Sequence, residues 1–156
     1  MVTLFIDADA CPVREEAFRV ATRLNLPVRV VSNGSRPIRP PGLPNVEMVT
    51  VGGRPDEADD WIAERIGPAD VCVTADIPLA SRCLGRGARA LSHNGHVWTA
   101  DNIGQALAGR EVARHLREVG VGGGSPAPLI LIKADRSRFL SALDALVQAA
   151  LRQSIG

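Results

Sequence analysis

The chain has 156 residues, a size typical of one domain, and a net charge of +1. Hydrophobic residues make up 46% of it, enough for a substantial core, whereas aromatic residues make up only 3% and tyrosine is absent. The small net charge excludes a global basic field for nucleic acid, and the scarcity of aromatic residues argues against recognition by base stacking. No apolar run is long enough for a membrane span and no signal-peptide pattern opens the chain, so we expect a cytoplasmic protein with reduced cysteines and no membrane partner.

The first third of the chain alternates short apolar segments with a helical pattern. Residues 2–6 have the pattern of a buried strand, and apolar side chains repeat at helical spacing over residues 12–25, where Pro12 suits the first turn. Further strands are predicted at residues 28–31 and 46–51. The proline-rich segment between these two strands is predicted to be irregular.

The same alternation continues through the middle of the chain. A helix is predicted over residues 56–66, a strand over residues 70–74 and a second helix over residues 76–84. Residues 88–91 form another short apolar strand pattern. The polar residues 92–98 that follow are predicted to be a loop.

The last third contains two predicted helices separated by a flexible segment. The helices are expected over residues 101–119 and 139–151, and glycines and prolines at residues 121–128 indicate a flexible loop. Residues 129–133 fit either a short strand or an extended segment. Strands that alternate with helices predict one α/β domain over residues 1–156, with a mainly parallel sheet of four or five strands between two layers of helices.

Two of the predicted strands are followed by aspartates. Asp7 and Asp9 come after the first strand, and Asp76 comes after the fourth. Because ligands of α/β proteins bind beyond the carboxyl ends of the strands, we expect these side chains to meet at one edge of the sheet, joined by Asp56 and Asp59 from the intervening helix. Turn and helix-capping roles are the simpler interpretation of each aspartate, and they stay open here.

Clustered carboxylates are costly without a cation, because like charges repel and raise one another's pKa. Hard divalent cations take oxygen ligands, so convergence of these aspartates predicts a Mg²⁺ or Mn²⁺ site. Asp101, which begins a later predicted helix, could reach the same edge. A metal ion held there would lower the pKa of a bound water, which is the chemistry of phosphodiester hydrolysis.

The motif Asp7-Ala8-Asp9-Ala10-Cys11-Pro12 resembles the start of proteins in the bacterial YaiI/YqxD family. The resemblance continues in four further segments: Ser32-Asn33, residues 53–59, Thr74-Ala75-Asp76 with the four residues after it, and residues 95–103. This family is similar to a branch of the PIN-like nuclease superfamily, in which acidic residues at strand ends bind divalent metal. The resemblance implies a PIN-like, Rossmann-like three-layer fold.

The same resemblance implies individual site residues. Asp7 matches the first-strand aspartate of PIN domains, and Asp76 matches the aspartate of their threonine-x-aspartate motif at the fourth strand. Asp56 or Asp59 matches their helical acid, and Asp101 matches their later one.

The first hypothesis is a Mg²⁺- or Mn²⁺-dependent phosphodiesterase or nuclease that acts on RNA. Its predicted catalytic residues are Asp7, Asp9, Asp59 and Asp76. The predicted metal ligands are these four residues together with Asp56 and Asp101. The competing hypothesis is a non-catalytic protein that uses the same acidic edge to bind a nucleotide, a metal ion or a partner.

A haloacid-dehalogenase-type phosphatase is a third hypothesis, because such enzymes open with a similar strand. Asp7 would then be the nucleophile and Asp9 the general acid and base. These phosphatases need a lysine followed by an acidic pair on a strand. Lys133 lies too near the C-terminus for this order, since only Asp135 and Asp144 follow it.

Polar and basic residues beyond the second strand are predicted to contact phosphate. These are Ser32, Asn33 and Arg36, with Arg14 at the start of the first helix, and arginine can bind phosphate in a forked, bidentate way. A solvated loop is the alternative interpretation. The roles of Cys11, His93 and His96 stay open, with packing for the cysteine and ordinary loop contacts for the histidines as the simpler interpretation.

Overall fold

The computed structural model of the protein describes residues 2–8, 13–34, 39–54, 56–118 and 133–155. In chain order the elements are β1 (Leu4–Asp7), α1 (Arg14–Arg23), β2 (Val28–Ser32), β3 (Val46–Thr50), α2 (Glu57–Arg65), β4 (Val71–Val73), α3 (Ile77–Gly85), β5 (Arg89–Leu91), β6 (Val97–Trp98), α4 (Ala100–Glu118) and α5 (Lys133–Ile155). The predicted α/β class is therefore confirmed. In the described part of the chain, no helix has the length and apolar character that crossing a membrane requires.

The strands form one six-stranded sheet in the order β3-β2-β1-β4-β5-β6. All neighbouring pairs are parallel except β5 and β6, which are antiparallel. The chain first builds the sheet outward from β1 to β3 and then returns to add β4 on the other side of β1. This order is that of a doubly wound Rossmann-like sheet, and the reversal between β1 and β4 opens a crevice at their carboxyl ends.

The two faces of the sheet carry separate hydrophobic cores. On one face, α1 and α5 pack against β1, β2 and β4 through side chains such as Phe18, Phe139 and Leu143. On the other face, α2 and α3 pack through residues such as Ile62 and Leu79, with Ile103 of α4 joining the same core. Helices on both faces explain why the central strands are apolar throughout, and they make the three-layer arrangement that the sequence predicts.

The strand at residues 97–98 corrects the predicted loop at residues 92–98 and the predicted number of strands. A tight turn folds the chain back, with Ser92 N donating to His96 O over 2.9 Å, and Gly95 lies in the left-handed region at φ 88°. Leu91 then pairs with Val97. A two-residue strand is too short to show an alternating pattern, so the sequence of this segment indicated only a loop.

Helix α5 begins at Lys133, six residues before the predicted start at Phe139. Its first turns are polar and mostly exposed, so they show no apolar periodicity. Ion pairs hold them instead: Asp135 pairs with Arg138, and Arg136 Nη1 lies 2.8 Å from Glu16 Oε1 on α1. Residues 129–132 and the predicted flexible loop at residues 121–128 lie outside the described residues.

Candidate functional site at the β1–β4 crevice

Asp7 is the last residue of β1 and stands at the crevice between β1 and β4. Side chains alternate between the two faces of a strand, and Phe5 of β1 belongs to the core beneath α2 and α3. Asp7 lies two residues after Phe5 in the same strand, so its carboxylate is directed to the same face. The strand that buries Leu4 and Ile6 on one side thus presents a half-buried acid to α2 on the other.

Thr74, directly after β4, connects the two halves of the crevice. Its hydroxyl donates to Asp7 Oδ2 over 2.9 Å and accepts a hydrogen bond from the backbone N–H of Asp76, also over 2.9 Å. The residue is only 2% exposed. Because the hydroxyl has a single proton, its donation to Asp7 and its acceptance from Asp76 set one orientation for the whole group. Thr74 therefore positions the aspartates of two adjacent strands relative to each other.

Asp76 is the N-cap of α3. Its Oδ1 accepts a hydrogen bond from Leu79 N over 2.8 Å, and Pro78 occupies the first turn, where a missing N–H costs nothing. The capping interpretation is thus confirmed for this residue. It does not compete with a functional role, because the cap directs the carboxylate to the edge of the sheet where Asp7 ends.

Asp59 brings the third carboxylate from α2. Burial, together with the negative charges of Asp76 and Asp7, raises the pKa of Asp59 from 3.8 to about 7. Burial is the larger cause of this shift, and the charges of Asp76 and Asp7 add to it. The predicted common site of Asp7, Asp59 and Asp76 stays a prediction.

Arg82 and Asp60 flank this group, and the sequence did not predict that they pair. Arg82 Nη1 of α3 lies 2.7 Å from Asp60 Oδ1 of α2, so the pair joins the two helices that supply Asp59 and Asp76. The Arg82 cation also lowers the pKa of Asp59, against the larger effects that raise it. This ion pair joins two helices, and no local pattern in the sequence indicates which helices become neighbours.

The floor of the crevice consists of two buried thiols. Cys72 of β4 and Cys83 of α3 are fully buried and form a hydrogen bond with each other. That contact, followed by burial and the nearby negative charges, raises the pKa of Cys72 well above its ordinary value. The Cys72 thiol is therefore neutral and adds no charge to the acidic group.

The remaining predicted site residues lie around this centre. Asp56 and Asp101 are exposed, Asp56 at the N-cap of α2 and Asp101 in the first turn of α4. Ser32 is buried at the end of β2, and its neighbour Asn33 is half-buried. Arg14 Nη1 donates to Ala8 O over 3.3 Å, which ties the start of α1 to the chain just after Asp7. Asp9, Cys11 and Arg36 lie outside the described residues.

The two histidines lie apart from the acidic group. His93 is 6% exposed and sits beside α5, where burial lowers its pKa and the charge of Asp135 opposes that effect. His96 is exposed, and its ring meets the edge of Trp98 at a centroid distance of 4.5 Å. These surroundings agree with loop and packing contacts, the simpler of the interpretations considered for them.

Among the residues that the structure describes, no three acidic, cysteine or histidine side chains form a ready cage for a metal ion. The donor set still suits Mg²⁺ or Mn²⁺, because the converging groups are carboxylates and these ions retain several waters rather than requiring an all-protein cage. The raised pKa of Asp59 gives an independent reason, since a cation between the acids would relieve their repulsion.

Fold and crevice together define an α/β protein of Rossmann-like topology with an acidic carboxyl edge. The chain belongs to the YaiI/YqxD family of uncharacterised bacterial proteins, whose sequence profile matches residues 5–149. It is 54% identical over 149 residues to a UPF0178 protein of Rhodospirillum rubrum, covering 96% of this chain and 97% of the relative. A UPF0178 protein of Ruegeria pomeroyi is 54% identical over the full length of both chains. A comparison with solved structures found no match.

Proposed function

We propose that the protein is a divalent-metal-dependent phosphodiesterase of PIN-like type that cleaves RNA. The observation that supports this most is the convergence of Asp7, Asp59 and Asp76 at the switch point between β1 and β4. Two of these carboxylates follow strands and the third lies on α2. Carboxylate oxygens are the ligands that hard cations prefer, so this set suits such an ion. A bound Mg²⁺ or Mn²⁺ would polarise the phosphoryl group and lower the pKa of a coordinated water.

The residues of the chain then have separate tasks. Asp7, Asp59 and Asp76 would hold the metal ion, with Asp9, Asp56 and Asp101 as further predicted ligands. The hydroxyl of Thr74 keeps the Asp7 carboxylate in one orientation through its 2.9 Å hydrogen bond.

Phosphate contacts are assigned to the residues around the crevice. Arg14, Ser32, Asn33 and Arg36 are proposed to position the phosphate of the substrate.

A binding protein without catalysis is the second candidate. The carboxylates that suit a cation would equally suit a protein that binds a nucleotide through a metal ion or that only stores the ion. A haloacid-dehalogenase-type phosphatase stays the least favoured, because Lys133 is exposed at the start of α5 and has no later acidic strand beside it in the described chain.

The deciding experiment compares the wild-type protein with an Asp7→Asn/Asp76→Asn double variant. Both substitutions remove charge and preserve shape, and asparagine still caps α3. Cleavage of mixed RNA and DNA substrates is measured with Mn²⁺, and Mn²⁺ binding is measured by calorimetry. Asp144→Asn, which removes one partly exposed carboxylate of α5, serves as the control for the loss of a surface charge.

The nuclease proposal expects RNA cleavage by the wild-type protein and by the Asp144→Asn control, and none by the double variant. Equal cleavage by the double variant and the wild type would refute it. If neither protein cleaves, while Mn²⁺ binding is lost only in the double variant, the binding protein is the correct interpretation.

A further inference from the structure

The loop after β3 places an arginine on the same edge of the sheet as the acidic crevice. β3 is the outermost strand on this side, and Gly52, Gly53 and Arg54 follow its carboxyl end. Neighbouring strands lie about 4.8 Å apart, so the end of β3 is roughly 10 Å from the end of β1. Arg54 therefore belongs to the edge on which Asp7 ends, two strands away from it.

Several contacts hold this loop in place. Val51 N donates to Ser32 O over 2.9 Å, which ties the end of β3 to the end of β2. Glu57 N donates to Arg54 O over 3.2 Å and closes a turn into α2, the helix that carries Asp59. Val51 thus ties the start of this loop to the sheet edge, and Arg54 ties its end to the acidic helix.

A glycine at position 52 is what lets Glu57 reach this loop. A Cβ on Gly52 would lie 2.8 Å from Glu57 Cδ, so any larger residue would displace the carboxylate. Arg54 Nε lies 3.7 Å from Glu57 Oε1, so in this structure the guanidinium lies beside the carboxylate that packs against the loop after β3.

The guanidinium is nevertheless available to a ligand. The Arg54 side chain is 83% exposed, and its ion pair with Glu57 is long and solvated. Exposed pairs of this kind contribute little free energy, so exchanging Glu57 for a phosphate is inexpensive. Arginine prefers phosphate because its planar donors match two phosphate oxygens at once.

We propose that Arg54 binds a phosphate adjacent to the one held at the acidic crevice, so that the substrate is a single-stranded oligonucleotide crossing the ends of β1, β2 and β3. This inference rests on the proposed function and deepens it. A small phosphodiester would reach only the crevice, whereas a strand that spans the roughly 10 Å from the end of β1 to the end of β3 would also meet the loop that carries Arg54. A cation at this distance would offset the repulsion between the acidic crevice and a polyanion.

The test measures binding of a labelled single-stranded RNA oligonucleotide by fluorescence anisotropy over a range of salt concentrations, in an Asp7→Asn background that suppresses cleavage. Arg54→Gln is compared with Arg152→Gln. Arg152 is exposed near the end of α5, next to Gln153, which pairs with Arg89 at the opposite edge of the sheet. The two variants therefore change the net charge equally but at opposite edges.

We expect Arg54→Gln to weaken binding about fivefold and to reduce the slope of log K against log salt by about 0.7, the value for one phosphate of a single strand. Arg152→Gln should leave both quantities unchanged. In the protein with Asp7 intact, hydrolysis of bis(p-nitrophenyl) phosphate should be the same with and without Arg54→Gln, because that substrate has one phosphate.

Oligonucleotide binding by Arg54→Gln equal to that of its parent would overturn the inference, and so would an absence of oligonucleotide binding by the parent. Equal loss of activity on the small and the long substrate would also overturn it, because Arg54 would then act at the crevice. Failure of the proposed function looks different. The wild-type protein would cleave nothing, while the comparison of Arg54→Gln with Arg152→Gln would still show whether Arg54 binds a neighbouring phosphate.

Discussion

Replacing Asp59 by asparagine should stabilise the metal-free protein. The folded structure raises the pKa of this carboxyl from 3.8 to about 7, chiefly by burial and then by the charges of Asp76 and Asp7. One pKa unit corresponds to about 1.36 kcal/mol. The difference between the two pKa values corresponds to about 4 kcal/mol, and solvent screening of this partly exposed carboxylate reduces the destabilisation of the fold to roughly 2–4 kcal/mol.

The pH dependence follows from which state binds more protons. Between pH 3.8 and about 7, the folded protein keeps a proton on Asp59 that the unfolded chain has released. The free energy of unfolding of the wild type therefore falls, relative to that of Asp59→Asn, as the pH rises through this range. Above about pH 7 the penalty is complete, and below pH 3.8 it is absent.

Urea denaturation at about pH 4 and about pH 8 measures the effect. At the higher pH we expect Asp59→Asn to be more stable by roughly 2–4 kcal/mol, with a melting temperature higher on the order of 5–15 °C. Asp56→Asn, on an exposed residue at the start of the same helix, is the matched control and should change little. An equal gain at both pH values, or no gain at about pH 8, would refute the reasoning.

Three further substitutions test the groups around the crevice and the turn that packs on α5. Thr74→Val should lower the free energy of unfolding by about 1–3 kcal/mol in urea denaturation, because it removes the hydroxyl that donates to Asp7 Oδ2 and accepts from Asp76 N–H, whereas Thr74→Ser should restore most of it. Asp76→Ala should be less stable than Asp76→Asn by about 1 kcal/mol in the same assay, since both remove the charge but only asparagine caps α3. Gly95→Ala should lower the melting temperature by an amount equivalent to about 2 kcal/mol or more, because φ is 88° and the new Cβ would lie 2.9 Å from the backbone of Arg138. Equal stability of the parent and the variant, or of Asp76→Ala and Asp76→Asn, would contradict the corresponding contact.

Local patterns were sufficient for most of the elements. Apolar runs predicted the first five strands to within a few residues, because the central strands are buried on both faces and the strands are bounded by polar turns. The pattern was insufficient for β6 and for the start of α5. A two-residue strand has no periodicity, and the first turns of α5 are held by ion pairs such as Arg136 with Glu16 rather than by an apolar face.

The candidate site was predictable in part for the same reason. Asp7 and Asp76 could be assigned to one edge because parallel strands end on the same side of a sheet. The bridge through Thr74 and the pairing of Arg82 with Asp60 could not be assigned, since they depend on which elements become neighbours in space. The predicted roles of Asp56 and Asp101 stay predictions.

By itself the sequence determined the α/β alternation, the two strand ends that carry aspartates and the family to which the chain belongs, because these depend on residues near one another in the chain. Only the tertiary structure decided that β4 pairs with β1, which brings Asp76 beside Asp7 and opens the crevice. It also decided that Asp59 is desolvated among other acids, so that its pKa rises to about 7. Both outcomes depend on distances between groups far apart in the sequence, and on the exclusion of water that packing α2 against the sheet produces.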